Sequence, residues 1–309
     1  MSDSLARWLR ARVEAGPLLV VPGAPNALAA RVIEDTGFEA VYVTGAGIAN
    51  SFLGTPDVGL VSLMELEMHV SAIRDAVELP LIVDADTGFG NPIGVARTIR
   101  ILGRAGADAI QIEDQMEPKR CGHFEGKQVV PVNEMVQKIR AAVDARLDHA
   151  QLIIARTDAR ATEGFSAAIE RVQQYAEAGA DVTFVEAPRT REEVLAIPRL
   201  ISVPQVVNLV EGGLTPMLST DQLAGFRIAI YANAALQGAI RGMQRVLKGL
   251  HATGSLEASL DDLAGWDERQ RLVRKLYFDE LEERYATRPD AAAKGARRTR
   301  QSDPLRGSN

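Results

Sequence analysis

A (β/α)8 barrel of the TIM type, an α/β fold, is what this sequence predicts, on three observations. Short apolar runs alternate with longer amphipathic segments over most of the 309 residues. The runs number eight and are rich in Val and Ile with little polar interruption, as parallel strands buried on both faces require. A glycine recurs where a helical segment gives way to the next run, in Thr36-Gly37-Phe38-Glu39, Ala105-Gly106-Ala107-Asp108, Ala178-Gly179-Ala180-Asp181 and Ala224-Gly225-Phe226-Arg227. Each of these glycines is read as the residue that ends a helix, a structural role rather than a ligand contact.

Taken in order, the first strand is expected at 18–23 and a helix at 27–36. Strands at 40–44 and 79–84 flank a helix at 63–77, and a helix at 95–105 leads to a strand at 109–113. Helices at 133–146 and 166–178 enclose the strand at 152–156. The last three strands fall at 182–186, 205–208 and 227–231. Eight strands with helices between them in about 230 residues match the size of a closed barrel. An open doubly wound sheet is the competing architecture. It wants a glycine-rich phosphate turn after its first strand, and Pro22-Gly23-Ala24-Pro25-Asn26 is a poor one.

Beyond the eighth strand come an apolar helix at 236–250 and a charged amphipathic segment at 257–285. The latter carries Trp266, Leu272, Leu276, Tyr277 and Leu281 at roughly helical spacing. Such a helix must cover apolar surface, on its own barrel or on a neighbouring subunit. The reading is one domain over 1–286, barrel plus helical extension, and a disordered tail over 287–309 with Arg297, Arg298, Arg300 and Arg306 among small polar residues. An anion-binding role for that tail is the other reading.

Composition excludes several classes. A formal charge of −6 gives no basic footprint for nucleic acid. No apolar run approaches membrane-spanning length, and the first fourteen residues lack the apolar centre of a secretory signal. One cysteine cannot form an internal disulfide, so the chain reads as cytoplasmic.

In a barrel the active site forms where the strands end. Those ends read Thr44-Gly45-Ala46-Gly47, Asp84-Ala85-Asp86, Glu113-Asp114, Arg156-Thr157-Asp158, Glu186 and Asn208. Asp84 and Asp86 are two apart, so an extended backbone would point both to one side. With Glu113 from the next strand they make a hard oxygen site suited to magnesium, with manganese the other candidate; isolated surface acids are the bland alternative. Thr44, Gly45 and Ala46 open a glycine-rich turn whose N–H groups can approach a carboxylate. Asp57, on the following loop, can reach over the mouth or simply form a turn. Arg156 ends a buried strand and must pair with an acid or bind an anionic substrate.

Lys119-Arg120-Cys121-Gly122-His123 sets the single cysteine between cations and a histidine on a glycine-bearing segment. Cationic neighbours stabilise the thiolate left when the proton has gone. His123 reads as an acid or base, or as a hydrogen-bond strut. The segment 115–130 is long for a strand–helix loop and reads as a lid.

On these residues the chain resembles the isocitrate lyase/phosphoenolpyruvate mutase superfamily over about residues 5–285. The resemblance rests on Val83-Asp84-Ala85-Asp86-Thr87-Gly88-Phe89-Gly90, Ile112-Glu113-Asp114-Gln115, Lys119-Arg120-Cys121-Gly122-His123 and Ala155-Arg156-Thr157-Asp158. Together these are specific; any one alone is not. The resemblance implies magnesium held through Asp84 and Asp86, often by way of water, with Glu113 nearby. It implies that Lys119 to His123 lie on a gating loop with Cys121 as proton donor, as in the lyase branch. The phosphonomutase branch typically has an asparagine in its gating loop and lacks the cysteine.

Within the lyases, Asn208-Leu209-Val210-Glu211-Gly212-Gly213 is more similar to enzymes acting on alkylated malates. Methylisocitrate lyases typically have threonine in place of Val210 and arginine in place of Phe124. The implied reaction is retro-Claisen cleavage of a 2-hydroxy dicarboxylate, a 2-alkylmalate, to a 2-oxo acid such as pyruvate and a carboxylate. The resemblance also implies substrate contacts from Gly122, Asn208 and Glu186, and electrostatic help from Arg156. Arg241 matches a substrate-binding arginine of methylisocitrate lyases, a helix-surface salt bridge being the alternative. The general base is unassigned, Asp57 being a candidate. A homotetramer with exchanged C-terminal helices is implied. Methylisocitrate cleavage of a tricarboxylate, phosphonate chemistry, oxaloacetate hydrolysis and a non-catalytic barrel remain the alternatives.

Overall fold

The computed structural model describes residues 2–122, 124 and 126–286. Eight parallel strands close on one another in chain order: β1 (Leu19–Ala24), β2 (Val41–Val43), β3 (Leu81–Asp84), β4 (Ala109–Glu113), β5 (Leu152–Thr157), β6 (Val182–Val185), β7 (Gln205–Asn208) and β8 (Ile228–Tyr231). The ring shuts where Leu19 of β1 pairs with Ile228 of β8. All eight expected strands are present with slightly shifted ends, and the sheet is closed rather than open.

Alternation along the strands divides the apolar side chains into two clusters. Leu19, Val21, Ile82, Ile154, Phe184 and Ile230 face inward. Val43, Val83, Ile112, Ile153, Val185 and Val207 face the surrounding helices. Those helices begin where local chemistry satisfies their first N–H groups. The Asn26 side chain accepts from the Ala29 N–H at the start of Ala27–Asp35. Ser62 and Glu65 exchange hydrogen bonds in a capping box before Leu63–Ala76.

Three glycines behave as helix terminators: Gly37, Gly106 and Gly179 all have positive φ directly after helices. Gly225 does not. The β7–β8 connection holds only a 3-10 turn, Asp221–Leu223, and Gly225 lies instead against Pro198, where an added Cβ would sit 2.9 Å from the ring. The segment between those strands is broken by Gly212, Gly213 and Pro216, which leaves no room for a helical stripe.

A helix absent from the sequence reading, Ser2–Ala15, buries Leu9 and Val13 into the inward-facing cluster. The amphipathic segment expected as one stretch at 257–285 is divided into a 3-10 turn (Glu257–Asp262) and helices Trp266–Leu272 and Lys275–Tyr285, with Arg274 in the left-handed region between the helices. The chain forms two compact units, one ending at Leu263 and one beginning at Ala264. In the second, Trp266, Leu276, Tyr277 and Phe278 are exposed. The expected tail at 287–309 lies outside the described residues. Among the described residues no helix is long and apolar enough to cross a membrane.

Candidate active site

Because all strands run one way, their C-terminal ends share one rim. Asp84, Glu113, Arg156 and Asn208 lie at the ends of β3, β4, β5 and β7, and Glu186 directly follows β6. Asp84, Glu113, Arg156 and Glu186 are buried despite their charge.

The reason Asp84 and Asp86 meet differs from the expected strand alternation. β3 stops at Asp84, and Asp86 has φ of 47°, in the left-handed region. The chain is held in this turn by Ala85 N–H donating to the Gln111 carbonyl at 2.9 Å and Glu113 N–H to the Asp86 carbonyl at 2.8 Å. Gln111 Nε2 also donates to Asp84 Oδ1 at 3.2 Å. Burial, with the Asp84 charge beside it, pushes the buried Tyr42 phenol well above its usual range.

Thr44-Gly45-Ala46-Gly47 forms a short helix, Gly45–Ile48, capped by Thr44 Oγ accepting from Gly47 N–H at 3.1 Å. Gly45 faces the two acids closely. A Cβ there would lie 3.3 Å from Asp86 Oδ1 and 3.5 Å from Asp84 Oδ2, so the missing side chain leaves open the space beside both oxygens. Burial, with Asp84 and Asp57 close by, pushes the Asp86 carboxyl up to about 7 even though Lys119 opposes the shift. Burial likewise raises Glu113 well above the usual carboxylate range against the pull of Arg156, and its Oε1 is buried with no hydrogen-bond partner.

These oxygens fit a hard divalent cation. Glu113, however, turns its Oε2 toward Arg156 Nε at 3.3 Å. Among the described residues no three acidic, histidine or cysteine side chains form a ready metal cage. The arrangement suits magnesium that keeps several waters, not an ion enclosed by three carboxylates.

The described residues of the 115–130 segment fold over this rim as a pinned loop. Its base is tied by Met116 N–H to the Gln128 carbonyl at 2.9 Å and by an antiparallel bridge between Gln115 and Val129. The Gln115 side chain donates to the Arg120 carbonyl at 2.7 Å and accepts from Arg120 N–H at 3.0 Å. Lys119 Nζ reaches down to Asp57 Oδ1 at 2.5 Å and Asp86 Oδ1 at 2.6 Å. Burial works against its charge, but Asp86, Glu113, Asp57 and Asp84 outweigh it and hold the ammonium well above the usual lysine range. Cys121 N–H donates to the Asp57 carbonyl at 3.0 Å, which sets the half-buried thiol residue beside that loop.

Gly122 rests on Arg156 and Glu186 beneath it, and a Cβ there would fall 2.6 Å from Glu186 Cγ. Arg156 is bound on three sides. Its Nε meets Asp158 Oδ2 at 2.9 Å, its Nη2 meets Glu186 Oε2 at 3.3 Å, and the guanidinium lies 5.3 Å above the Phe184 ring centre. Burial disfavours the Asp158 charge, yet Arg156 and Lys127 more than compensate and hold the carboxyl at about 2.

Residues 9–251 match the family described as phosphoenolpyruvate phosphomutase. The chain belongs to the phosphoenolpyruvate mutase/isocitrate lyase superfamily. It is 42% identical to the 2,3-dimethylmalate lyase of Eubacterium barkeri, over 91% of this chain and 98% of that one. It is 46% identical to a 2-methylisocitrate lyase of Aeropyrum pernix, over 82% of each chain. The structure of an oxaloacetate acetylhydrolase bound to 3,3-difluorooxalacetate superposes with a TM-score of 0.86 at 34% identity, covering 92% of this chain and 98% of the other. The named lyases support a carbon–carbon lyase, and the barrel is the one this superfamily uses.

The expected strand-end residues Asp84, Glu113, Arg156, Glu186 and Asn208 share one rim, with Lys119 and Gly122 of the loop set against it. Ala46, Asp57 and Cys121 line a mouth cavity of about 340 Å3 together with Asn50, Phe124, Val210 and Asn233. Arg241 is exposed on helix Ala234–Thr253 and borders a different cavity with Gln244, Arg245 and Lys248. His123 lies outside the described residues. The reading missed Tyr42, Gln111 and Lys127. Gln111 was visible as a polar residue inside the apolar run Ala109-Ile110-Gln111-Ile112. Tyr42 resembled any core aromatic, and Lys127 any loop lysine.

Proposed function

We propose that this protein cleaves a 2-hydroxy dicarboxylate, a 2-alkylmalate such as 2,3-dimethylmalate, into a 2-oxo acid and a carboxylate. The observation that carries the reading is the placement of Cys121. The thiol residue lines the mouth cavity on a loop whose Lys119 engages Asp57 and Asp86 and whose Gly122 lies against Arg156 and Glu186.

Members of the superfamily generally require magnesium. Asp84 and Asp86, beside the open space at Gly45, would hold the ion largely through water, with Glu113 next to them and manganese as a substitute. When bound, it supplies positive charge toward the substrate's C2 oxygen and adjacent carboxylate.

The remaining work falls to this chain's own groups. Asp57, paired with Lys119, is the candidate that takes the C2 hydroxyl proton. The C2–C3 bond then breaks and its electron pair stays on C3, shared with the neighbouring carboxylate as an enediolate. C2 becomes the carbonyl of the 2-oxo acid. Arg156 faces the developing charge, with Asn208 beside Glu186 at 3.5 Å. Cys121 gives its proton to C3, and the proton removed from the hydroxyl group restores the thiol. The closed 115–130 loop keeps out water that would quench the carbanion.

Substrate size is argued from the cavity wall. Phe124 and Val210 line it, together with the acidic Glu211. Two apolar neighbours and an acidic one favour a small alkyl group over a third carboxylate, which disfavours 2-methylisocitrate. The C-terminal helices, with Leu276, Tyr277 and Phe278 exposed, support a homotetramer in which subunits exchange them; light scattering checks this.

The deciding experiment is pyruvate release from 2,3-dimethylmalate, other 2-alkylmalates, 2-methylisocitrate and oxaloacetate, with magnesium or with chelator. Metal-dependent cleavage of a 2-alkylmalate is expected. Preference for 2-methylisocitrate or oxaloacetate moves the assignment within the family. Silence toward all of them, with P–C conversion seen by phosphorus NMR, refutes the lyase.

A further inference from the structure

Lys127 lies in the 115–130 loop, where a lysine ordinarily extends to water, yet its side chain is 1% exposed. An ammonium withdrawn from water needs partners that replace its hydration. Lys127 Nζ donates to Asp158 Oδ1 at 2.9 Å and to the carbonyl of Gly122.

Asp158 has no shortage of cations without it, since Arg156 donates to both of its oxygens, at 2.9 Å and 3.2 Å. Lys127 therefore adds a second cation to an acid already paired, and spends its other bond on the backbone of the residue next to Cys121. Gly122 is also the residue seated against Arg156 and Glu186. Lys127 does not border the mouth cavity. It lines a separate space of about 290 Å3 on another side of the loop, with Phe124, Thr162, Arg189 and Leu214.

We propose that Lys127 is a positioning residue, a latch that holds the 115–130 loop shut and fixes Cys121 relative to Arg156. The proposal rests on the roles given above to Cys121 and Arg156. Lys119 engages acids of the reacting site, whereas Lys127 reaches the chemistry only through Asp158 and the Gly122 backbone.

Cys121 is the only cysteine, so alkylation of the full-length protein by iodoacetamide, followed by intact mass, reports its access directly. Rates measured from about pH 6 to 10 separate access from thiolate fraction. In Lys127→Met, the limiting rate is expected to rise by about tenfold or more, as loss of a charge-assisted bond allows, while the melting temperature holds. Lys127→Arg, which keeps a cation, is expected to stay nearer the wild-type rate. If Lys127→Met does not fold, Lys127→Gln, which keeps one donor, replaces it.

An unchanged or slower limiting rate in the folded variant overturns the latch. So does lost turnover with unchanged alkylation, which would mean Lys127 acts on the reaction some other way. With a cleaved substrate in hand, kcat is expected to fall about tenfold with KM within about threefold. Alkylation needs no substrate, so a wild-type enzyme silent toward the whole panel would refute the proposed reaction and leave the latch still testable.

Discussion

Gly122→Ala adds one methyl group at the place where the loop meets the barrel. The new Cβ would lie 2.6 Å from Glu186 Cγ and 2.8 Å from Glu186 Cδ, closer than carbon atoms approach without displacement. Neither neighbour yields easily. Glu186 accepts from the Ala187 N–H at 2.8 Å and pairs with Arg156, and Arg156 is held in turn by Asp158. The loop must lift instead. Overpacking of this kind costs about 1–3 kcal/mol. Charged to loop closure, that is roughly a five- to 150-fold fall in the ratio of closed to open loop. The 115–130 loop contributes no strand to the barrel, so the melting temperature should hardly move. Steady-state kcat from coupled pyruvate detection, read beside a thermal melt and Cys121 alkylation, tests the reasoning. Wild-type kcat, or a melting temperature that falls in step with activity, would refute it.

Cys121→Ser should lower turnover by about 10² to 10⁴ while leaving circular dichroism unchanged, and retained kcat would remove the thiol from the reaction. Tyr42→Phe removes the buried hydroxyl beside Asp84, so magnesium affinity by calorimetry should drop about 10- to 100-fold with the fold intact; equal affinity would make Tyr42 a core residue only. Asp158 should make acid stability visible. Its carboxyl sits at about 2 in the folded chain against an ordinary 3.8, so its stabilisation is complete above about pH 4 and lost as pH falls toward 2. The size is about 2 kcal/mol. In urea unfolding, the gap between wild type and Asp158→Asn should shrink by that amount over this range, and a gap independent of pH would sink the argument.

Much of the fold could be read from local pattern. A strand buried on both faces tolerates little polarity, so runs such as Leu81-Ile82-Val83 and Leu152-Ile153-Ile154 announce themselves. Gly37, Gly106 and Gly179 mark helix ends because only glycine takes positive φ cheaply. The same pattern misled at Gly225, where close packing on Pro198, not backbone conformation, is what asks for a small residue. It was silent on Ser2–Ala15, whose apolar positions are too few to stand out until the barrel end supplies something to cover.

In the candidate site, the sequence by itself determined which chemical groups stand at the rim. Strand ends are set by periodicity, and Asp84, Glu113, Arg156 and Asn208 sit at those ends whatever their side chains do. Their partners were a different matter. That Asp86 reaches Asp84 by a left-handed turn, that Glu113 turns to Arg156, and that Tyr42 lies beside Asp84 depend on directions in three dimensions. That two loop lysines are buried, Lys119 on Asp57 and Asp86 and Lys127 on Asp158, depends on a loop closing over acids contributed by other strands. Hydrophobic burial is a property of each segment and leaves a periodic trace along the chain. Pairing of buried charges joins residues as far apart as 57 and 119, and leaves no trace until the barrel closes.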